Sequence, residues 1–340
     1  MTKVAGIDWA PVNIPFERRM QTLAVIHFFA GFILMPIFCA IIPIYILFYT
    51  SYWWTVLVYA LWFYYDKDTS RKGSRPKDWM RHARIWKHFA NYFPITLVKT
   101  AELSPEKNYI MGSHPHGILS IAVFANTCTE GTNFSKTFPG IKPSLLTLVG
   151  QFWFPFRREY TMIHGAVESS RESLEWLLET PGKGRAIAIV LGGAEEVLDA
   201  HHDCFDLNLS SRRGFVKYAL RYGADLVPMY NFGENSVYQQ VQNPRGSKLR
   251  RFQTYFKKMM GFSPPIFQGR GIFNYTFGLL PFRSPICTVV GAPIHVDKVD
   301  KPTEEQINEL HIKYCDALTK LFDDHKTKYG VPEDATLKIY

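Results

Sequence analysis

Charged residues vanish from this chain for 46 positions. From Met20 to Tyr65 there is no Asp, Glu, Lys or Arg, although one spanning helix needs only about 20 apolar residues. The pattern predicts a membrane hairpin over 20–65: two apolar helices that either cross twice or dip in and return. Pro36 and Pro43 interrupt the first half, and Tyr49–Thr55, YTSYWWT, has the polar and aromatic residues of a turn at an interface. The alternative is a pair of buried core helices, which seldom lack charge for so long. A cleaved signal peptide is excluded by the length of the run and the lack of a small-residue cleavage site after it. Arg18 and Arg19 precede the run, and Lys67, Arg71, Lys72, Arg75 and Lys77 follow it. Basic flanks stay cytoplasmic, so residues 1–19 and 66–340 are both expected in the cytosol.

After the run the periodicity changes. Residues 66–90 are basic with interleaved Trp79, Ile85, Trp86 and Phe89, which suits either a helix on the membrane surface or an ordinary domain-entry helix. Short apolar runs at 108–112, 144–150, 186–193, 225–233 and 286–291 read as buried strands ending in turn residues. Between them, 169–180 and 211–223 have helical spacing, the second closed by Gly223. A last helix opens at the capping box Thr303–Gln306 and keeps Ile307, Leu310, Tyr314, Leu318 and Leu321 on one face. This alternation predicts an α/β domain, a mostly parallel sheet flanked by helices, behind the N-terminal hairpin.

Composition narrows the partners. The 340 residues are 47% hydrophobic and 15% aromatic, and the net charge is +9. A basic surface suits nucleic acid, an anionic membrane face or a phosphorylated small molecule. Cys39, Cys128, Cys204, Cys287 and Cys315 are scattered, with no C-x-x-C pair, against a disulfide framework or a cysteine zinc site and for a reducing compartment. Lys248–Phe262 sets Leu249, Phe252, Phe256 and Met259 along one helical face with basic residues opposite, a helix for a membrane surface or for phosphates. On a membrane-anchored chain, nucleic acid is the poorer reading of it.

Candidate chemistry collects at two strand ends. NYIMGSHPHGILS, 108–120, brings His114 and His116 into a Pro/Gly turn at the carboxyl end of a strand, where open α/β sheets place their sites. Histidine has the pKa of a general base, and Gly117 lets the backbone approach a ligand. LGGAEEV, 191–197, runs from a strand into Gly192 and Gly193 and then Glu195 and Glu196. The glycine N–H groups can hold an anion or an oxyanion, and a glutamate can orient a histidine; the plainer reading is a helix start favoured by its dipole. HHDC, 201–204, has no second ligand pair, and one residue between His114 and His116 is not a usual zinc spacing, so no metal is expected. There is no G-x-S-x-G, against a serine hydrolase, and no G-x-G-x-x-G opening a βαβ unit, against a dinucleotide enzyme.

The blocks YFP (92–94), HPHG (114–117) and GGAEE (192–196) occur in this order. They are followed by an ungapped series: Arg212, Gly214, Phe215, Ala219, Gly223, Val227, Pro228, Phe232, Gly233, Glu234. With ERRMQTLAV (17–25) and LVKTAEL (97–103), the chain resembles the monoacylglycerol and diacylglycerol acyltransferases of the second, non-polytopic diacylglycerol acyltransferase family over nearly its whole length. The resemblance implies an enzyme of the endoplasmic reticulum membrane and lipid droplet that moves a fatty acyl group from acyl-CoA to an acylglycerol hydroxyl. Monoacylglycerol is the expected acceptor, with diacylglycerol or a wax alcohol as alternatives; a non-catalytic lipid-droplet scaffold is the other class. No cofactor is implied, acyl-CoA being a substrate, and a homo-oligomer is left open. The block order is also similar to that of the glycerophosphate acyltransferases, whose H-x4-D pairs the histidine with an aspartate. Here Leu119 and Ile121 stand at the matching positions, and Glu196 becomes the candidate orienting carboxylate. His114 and His116, unranked, are the candidate bases. Gly117, Gly192 and Gly193, with Arg171, Arg212, Arg213 and Glu234, are the expected substrate-binding residues, the arginines for the phosphates of acyl-CoA.

Overall fold

The computed structural model describes residues 2–4 and 6–340. The apolar run forms α1 (Phe16–Phe29), a π-helical turn over Ala30–Leu34, and α2 (Met35–Tyr49), together one continuous helix. A turn over 50–52 separates it from α3 (Trp53–Asp66), which packs on α2. The helix Phe16–Tyr49 is long and apolar enough to cross a membrane. Its two halves have different surroundings. Ala24, Val25, Phe28 and Phe29 of α1 are buried against Trp86, Phe89 and Ala90 of α4 (Arg84–Tyr92). In α2 and α3 the large apolar side chains face outward, Phe48 at 72% and Leu61 at 72% exposure among them. The first turns of the uncharged run are covered by the folded domain, and the outward apolar surface begins near Met35. Absence of charge cannot tell a helix buried in protein from one buried in lipid, because both exclude water. Of the stretch 66–90, Trp86 and Phe89 are buried beneath α1 while Trp79 stays exposed.

From there the chain alternates. β1 (Thr96–Lys99) and β2 (Tyr109–His114) lead to α5 (Ile121–Thr127); β3 (Lys142–Thr147) and β4 (Ala166–Glu168) lead to α6 (Arg171–Glu179). β5 (Arg185–Val190) runs into the single turn α7 (Gly193–Glu196), and α8 (Gly214–Tyr222) returns to β6 (Asp225–Phe232). α9 (Lys248–Met260), β7 (Cys287–Val290) and α10 (Glu304–His325) complete the fold. Thr303 caps α10 with the reciprocal Gln306 bond, as its sequence predicts, an arrangement worth about 1 kcal/mol.

The sheet has seven strands in the order β1-β7-β6-β2-β5-β3-β4. β2 lies between β5 and β6, parallel to both, and all its residues are buried. β6 is buried along its whole length too, which is why both strands read as unbroken apolar runs. The sheet is mixed: β7 runs antiparallel to β6, and β1 follows β7. The excursion 233–286 leaves the sheet at one end and returns to that same end, so β7 must run backwards. β1 and β4 are short edge strands without a long apolar run, and the sequence pattern had not shown them. Tyr314, Leu318 and Phe322 of α10 pack with Phe215 and Ala219 of α8 over one face, while Val123 of α5 packs with Phe134 and Phe138 on the other.

Candidate active site

The carboxyl end of β2, in mid-sheet, delivers the histidines. His114 is the last strand residue and is completely buried. Its Nε2 lies 3.1 Å from the Tyr314 hydroxyl, its Nδ1 has no partner, and burial pushes its pKa down to about 3. The ring is thus enclosed among its neighbours, with one nitrogen unpaired. After the cis bond to Pro115 comes His116, which is partly exposed. Its Nδ1 lies 3.0 Å from the Gly117 carbonyl and 3.2 Å from Ser120 Oγ. A carbonyl oxygen only accepts, so Nδ1 carries the proton and the lone pair is left on Nε2. That tautomer, set by a backbone carbonyl, leaves Nε2 free to accept a proton.

Glu196 and His116 do come together, but at the backbone. Glu196, 2% exposed, accepts the His116 N–H on Oε1 at 2.7 Å and the Asn208 N–H on Oε2 at 2.9 Å. Its carboxylate pins the loop that carries the imidazole; it does not touch the ring. Burial pushes its carboxyl up to about 7 despite the two donors. Gly192 is required because a Cβ there would fall on that carboxylate. Glu195 points the other way, to Arg250 at 2.9 Å and to Lys257. Burial opposes its ionisation, yet these bonds hold its carboxyl below the usual range.

Glu234, expected at the substrate, is buried and accepts the Ile121 and Ala122 N–H groups at 2.7 and 2.9 Å. It closes the start of α5, the helix that follows the histidine loop, and burial raises its carboxyl to about 7. It was expected at the substrate through the resemblance alone; its bonds go to backbone N–H groups of α5. Gly117, at φ +62°, lies beside it, and a Cβ there would come within 2.6 Å of the Glu234 Cγ. Of the three arginines, Arg212 reaches the site, its guanidinium standing over Gly193. Arg213 donates to Asn308 at 2.6 Å, and Arg171 opens α6, the helix that follows the edge strand β4 and packs on β5 and α8. His201 meets Asn243 and His202 meets Ser236, and among the described residues no group of His, Cys, Asp and Glu is arranged to hold a metal ion.

Sequence reasoning missed Ser120, Asn208 and a buried polar chain beneath the loop. Asn231 donates to Ser113 Oγ at 2.9 Å and to the His114 carbonyl at 3.0 Å; Thr288 donates to Asn231 and accepts from Asn126. A polar residue inside an apolar strand run, as Asn231 is in β6, was the available signal, since a buried amide needs partners. A cleft of about 250 Å³ opens beside Pro115, lined by His202, Cys204, Tyr230, Asn231 and Gly233 among others, and by neither His114 nor His116.

The model of the diacylglycerol acyltransferase family matches residues 45–340. The chain belongs to that family. It is 48% identical to 2-acylglycerol O-acyltransferase 1 of Bos taurus, over 97% of this chain and 98% of that one. It is 46% identical to diacylglycerol O-acyltransferase 2 of Homo sapiens, over 95% of this chain and 83% of the relative. Among solved structures it overlays on the 1-acyl-sn-glycerophosphate (LPA) acyltransferase PlsC from Thermotoga maritima at 11% identity, covering 90% of this chain and 96% of that one. That TM-score, 0.37, is too low to bear on the fold.

Burial pushes the His116 pKa down, while its bond to the Gly117 carbonyl pulls the other way. A lowered histidine pKa keeps the ring neutral, and therefore basic, to lower pH. The acid limb of kcat/KM is expected below the ordinary value of 6.5. A limb at or above that value in a pH–rate profile would remove His116 as the base.

Proposed function

We propose that this protein is a membrane-bound O-acyltransferase that moves a fatty acyl group from acyl-CoA to the free hydroxyl of 2-monoacylglycerol. The observation that supports it most directly is the pinning of His116 by Glu196 at 2.7 Å, the HPHG and GGAEE blocks forming one site in a chain of this family. His116 Nε2 takes the proton from the acceptor hydroxyl as the oxygen attacks the thioester carbon. The carbonyl oxygen becomes an oxyanion, which collapses to the ester and expels the CoA thiolate, and the thiolate takes the proton back from His116. The His116 N–H is spent on Glu196, so the Gly117, Gly192 and Gly193 N–H groups are the oxyanion donors within reach of the loop. Arg212, over Gly193, would take a CoA phosphate. Microsomes carrying the protein, supplied with labelled acyl-CoA and with monoacylglycerol, diacylglycerol or fatty alcohol, should give labelled diacylglycerol fastest. The two named relatives are nearly equally similar, 48% and 46%, so a faster product from diacylglycerol would move the acceptor assignment without touching the chemistry.

The outward apolar surface supports a hairpin dipping into the endoplasmic reticulum membrane from the cytosolic side. The helices α2 and α3 have 15 and 14 residues. At 1.5 Å per residue they reach about 22 Å, short of a hydrocarbon core of about 30 Å. Both domain-side ends then remain cytosolic, where acyl-CoA is available. Three N-x-S/T sequons, at Asn133, Asn208 and Asn274, test this. In eukaryotic cells all three are expected to stay unmodified. A glycosidase-sensitive mass shift would place the domain in the lumen.

A further inference from the structure

α9 is built inside out for a soluble protein. Its inward face is the polar one. Arg250, 4% exposed, bonds Glu195 and Asp199, Lys257 bonds Glu195, and the buried Gln253 bonds Asn243 and the Pro264 carbonyl. Its outward face carries Phe252, Tyr255, Met259 and Met260, each more than half exposed. Exposed Lys248, Arg251 and Lys258 stand among them. A helix with aromatics and Met outward and lysines between them fits the headgroup–acyl boundary of an anionic leaflet.

Two further observations favour a lipid surface over a protein partner. Past α9 the exposed apolar series continues through Phe262, Ile266 and Phe273. Phe273 and Tyr275 are then tied by backbone bonds to Ala10 and Asp8, on the segment that enters α1 and so leads to the apolar helices. The exposed series thus runs back to the segment that leads into α1. The inward bonds of α9 also end on Glu195, next to the Glu196 that pins His116.

We propose that α9 is a second membrane contact, lying flat in the leaflet that holds α2 and α3, with its aromatic and Met face at acyl-chain level and its exposed cations on anionic headgroups. The proposal rests on the reading that the enzyme draws its lipids from a bilayer. On that surface, α9 carries the site's α7 turn toward the lipid through Glu195.

The full chain, reconstituted in vesicles of phosphatidylcholine and phosphatidylserine, provides the test. Environment-sensitive labels are placed at Tyr255→Cys and Met259→Cys, with Ile41→Cys in α2 and Lys320→Cys in α10 as comparators, each read against the label taken up by the parent chain. Lipids brominated on the acyl chain are expected to quench labels 255 and 259 nearly as well as label 41, and far more than label 320. Quenching no greater than at 320 overturns the proposal. So does self-quenching that rises with protein concentration without any lipid quenching, since it would mean that a second copy covers the face. A Phe252→Glu, Met259→Glu chain should lose turnover in vesicles and keep it in mixed detergent micelles, where no leaflet has to be entered. Equal turnover in both settings also overturns the proposal. If the parent chain transfers no acyl group in either setting, the enzymatic reading fails, and the depth measurement still decides the surface.

Discussion

His116→Ala is expected to lower kcat by about 10²–10⁴, the contribution of a positioned general base, while the thermal unfolding midpoint stays close to that of the parent. The ring is partly exposed and its bonds go to its own loop, the Gly117 carbonyl and Ser120, so removing it opens little core. His114→Ala should behave in the opposite way. It empties a fully buried position, strips Tyr314 of a partner and lowers stability by about 1–3 kcal/mol, with turnover reduced only as far as the loop shifts. Initial rates with labelled acyl-CoA, set beside unfolding midpoints of the solubilised protein, separate the two. Full turnover in the His116 variant would return the assignment to an open question; a stable but inactive His114 variant would transfer it there.

Glu196→Ala should cost up to about 2–6 kcal/mol, because two part-buried N–H groups, of His116 and Asn208, lose their acceptor and each costs at most about 1–3 when fully orphaned. Glu196→Gln keeps one oxygen and turns an amide N–H2 on the other donor, so about half that loss is expected, together with slower turnover from a loosened histidine loop. The carboxyl also carries a pH signature. Its folded value is raised from 4.5 to about 7. The folded chain therefore holds that proton more tightly than the unfolded chain. The associated stability is fully present below 4.5 and is lost as pH rises through about 7. The gap between parent and Gln variant should accordingly be wider at about pH 5 than at about pH 8, a comparison free of any catalytic assay. An equal gap at both would mean that the carboxylate is ionised throughout by its two N–H donors.

The sequence by itself determined the α/β class of the fold and where its candidate site residues gather. Long apolar strands such as β2 and β6 announce themselves because both faces are buried, and period alone marks them. The glycine, proline and histidine punctuation at 114–117 and the glycines at 192–193 mark strand ends, where main-chain freedom is needed, and the structure finds those ends adjacent in the sheet. Tertiary structure decided the rest. Whether an uncharged stretch lies against protein, as Phe28 does, or outward, as Phe48 does, depends on what packs on it, and composition is blind to the packing partner. The direction of β7 depends on where the 233–286 excursion comes back, which no local pattern encodes. The face α9 presents was read correctly as amphipathic, but only contact with Glu195 and Asp199 shows that its polar side turns inward. The roles of the carboxylates were hidden for the same reason. Glu196 and Glu234 sit in motifs that suggest chemistry, yet what a carboxylate does depends on which donors a distant segment brings to it. Here they are backbone N–H groups 80 and 113 residues away in sequence.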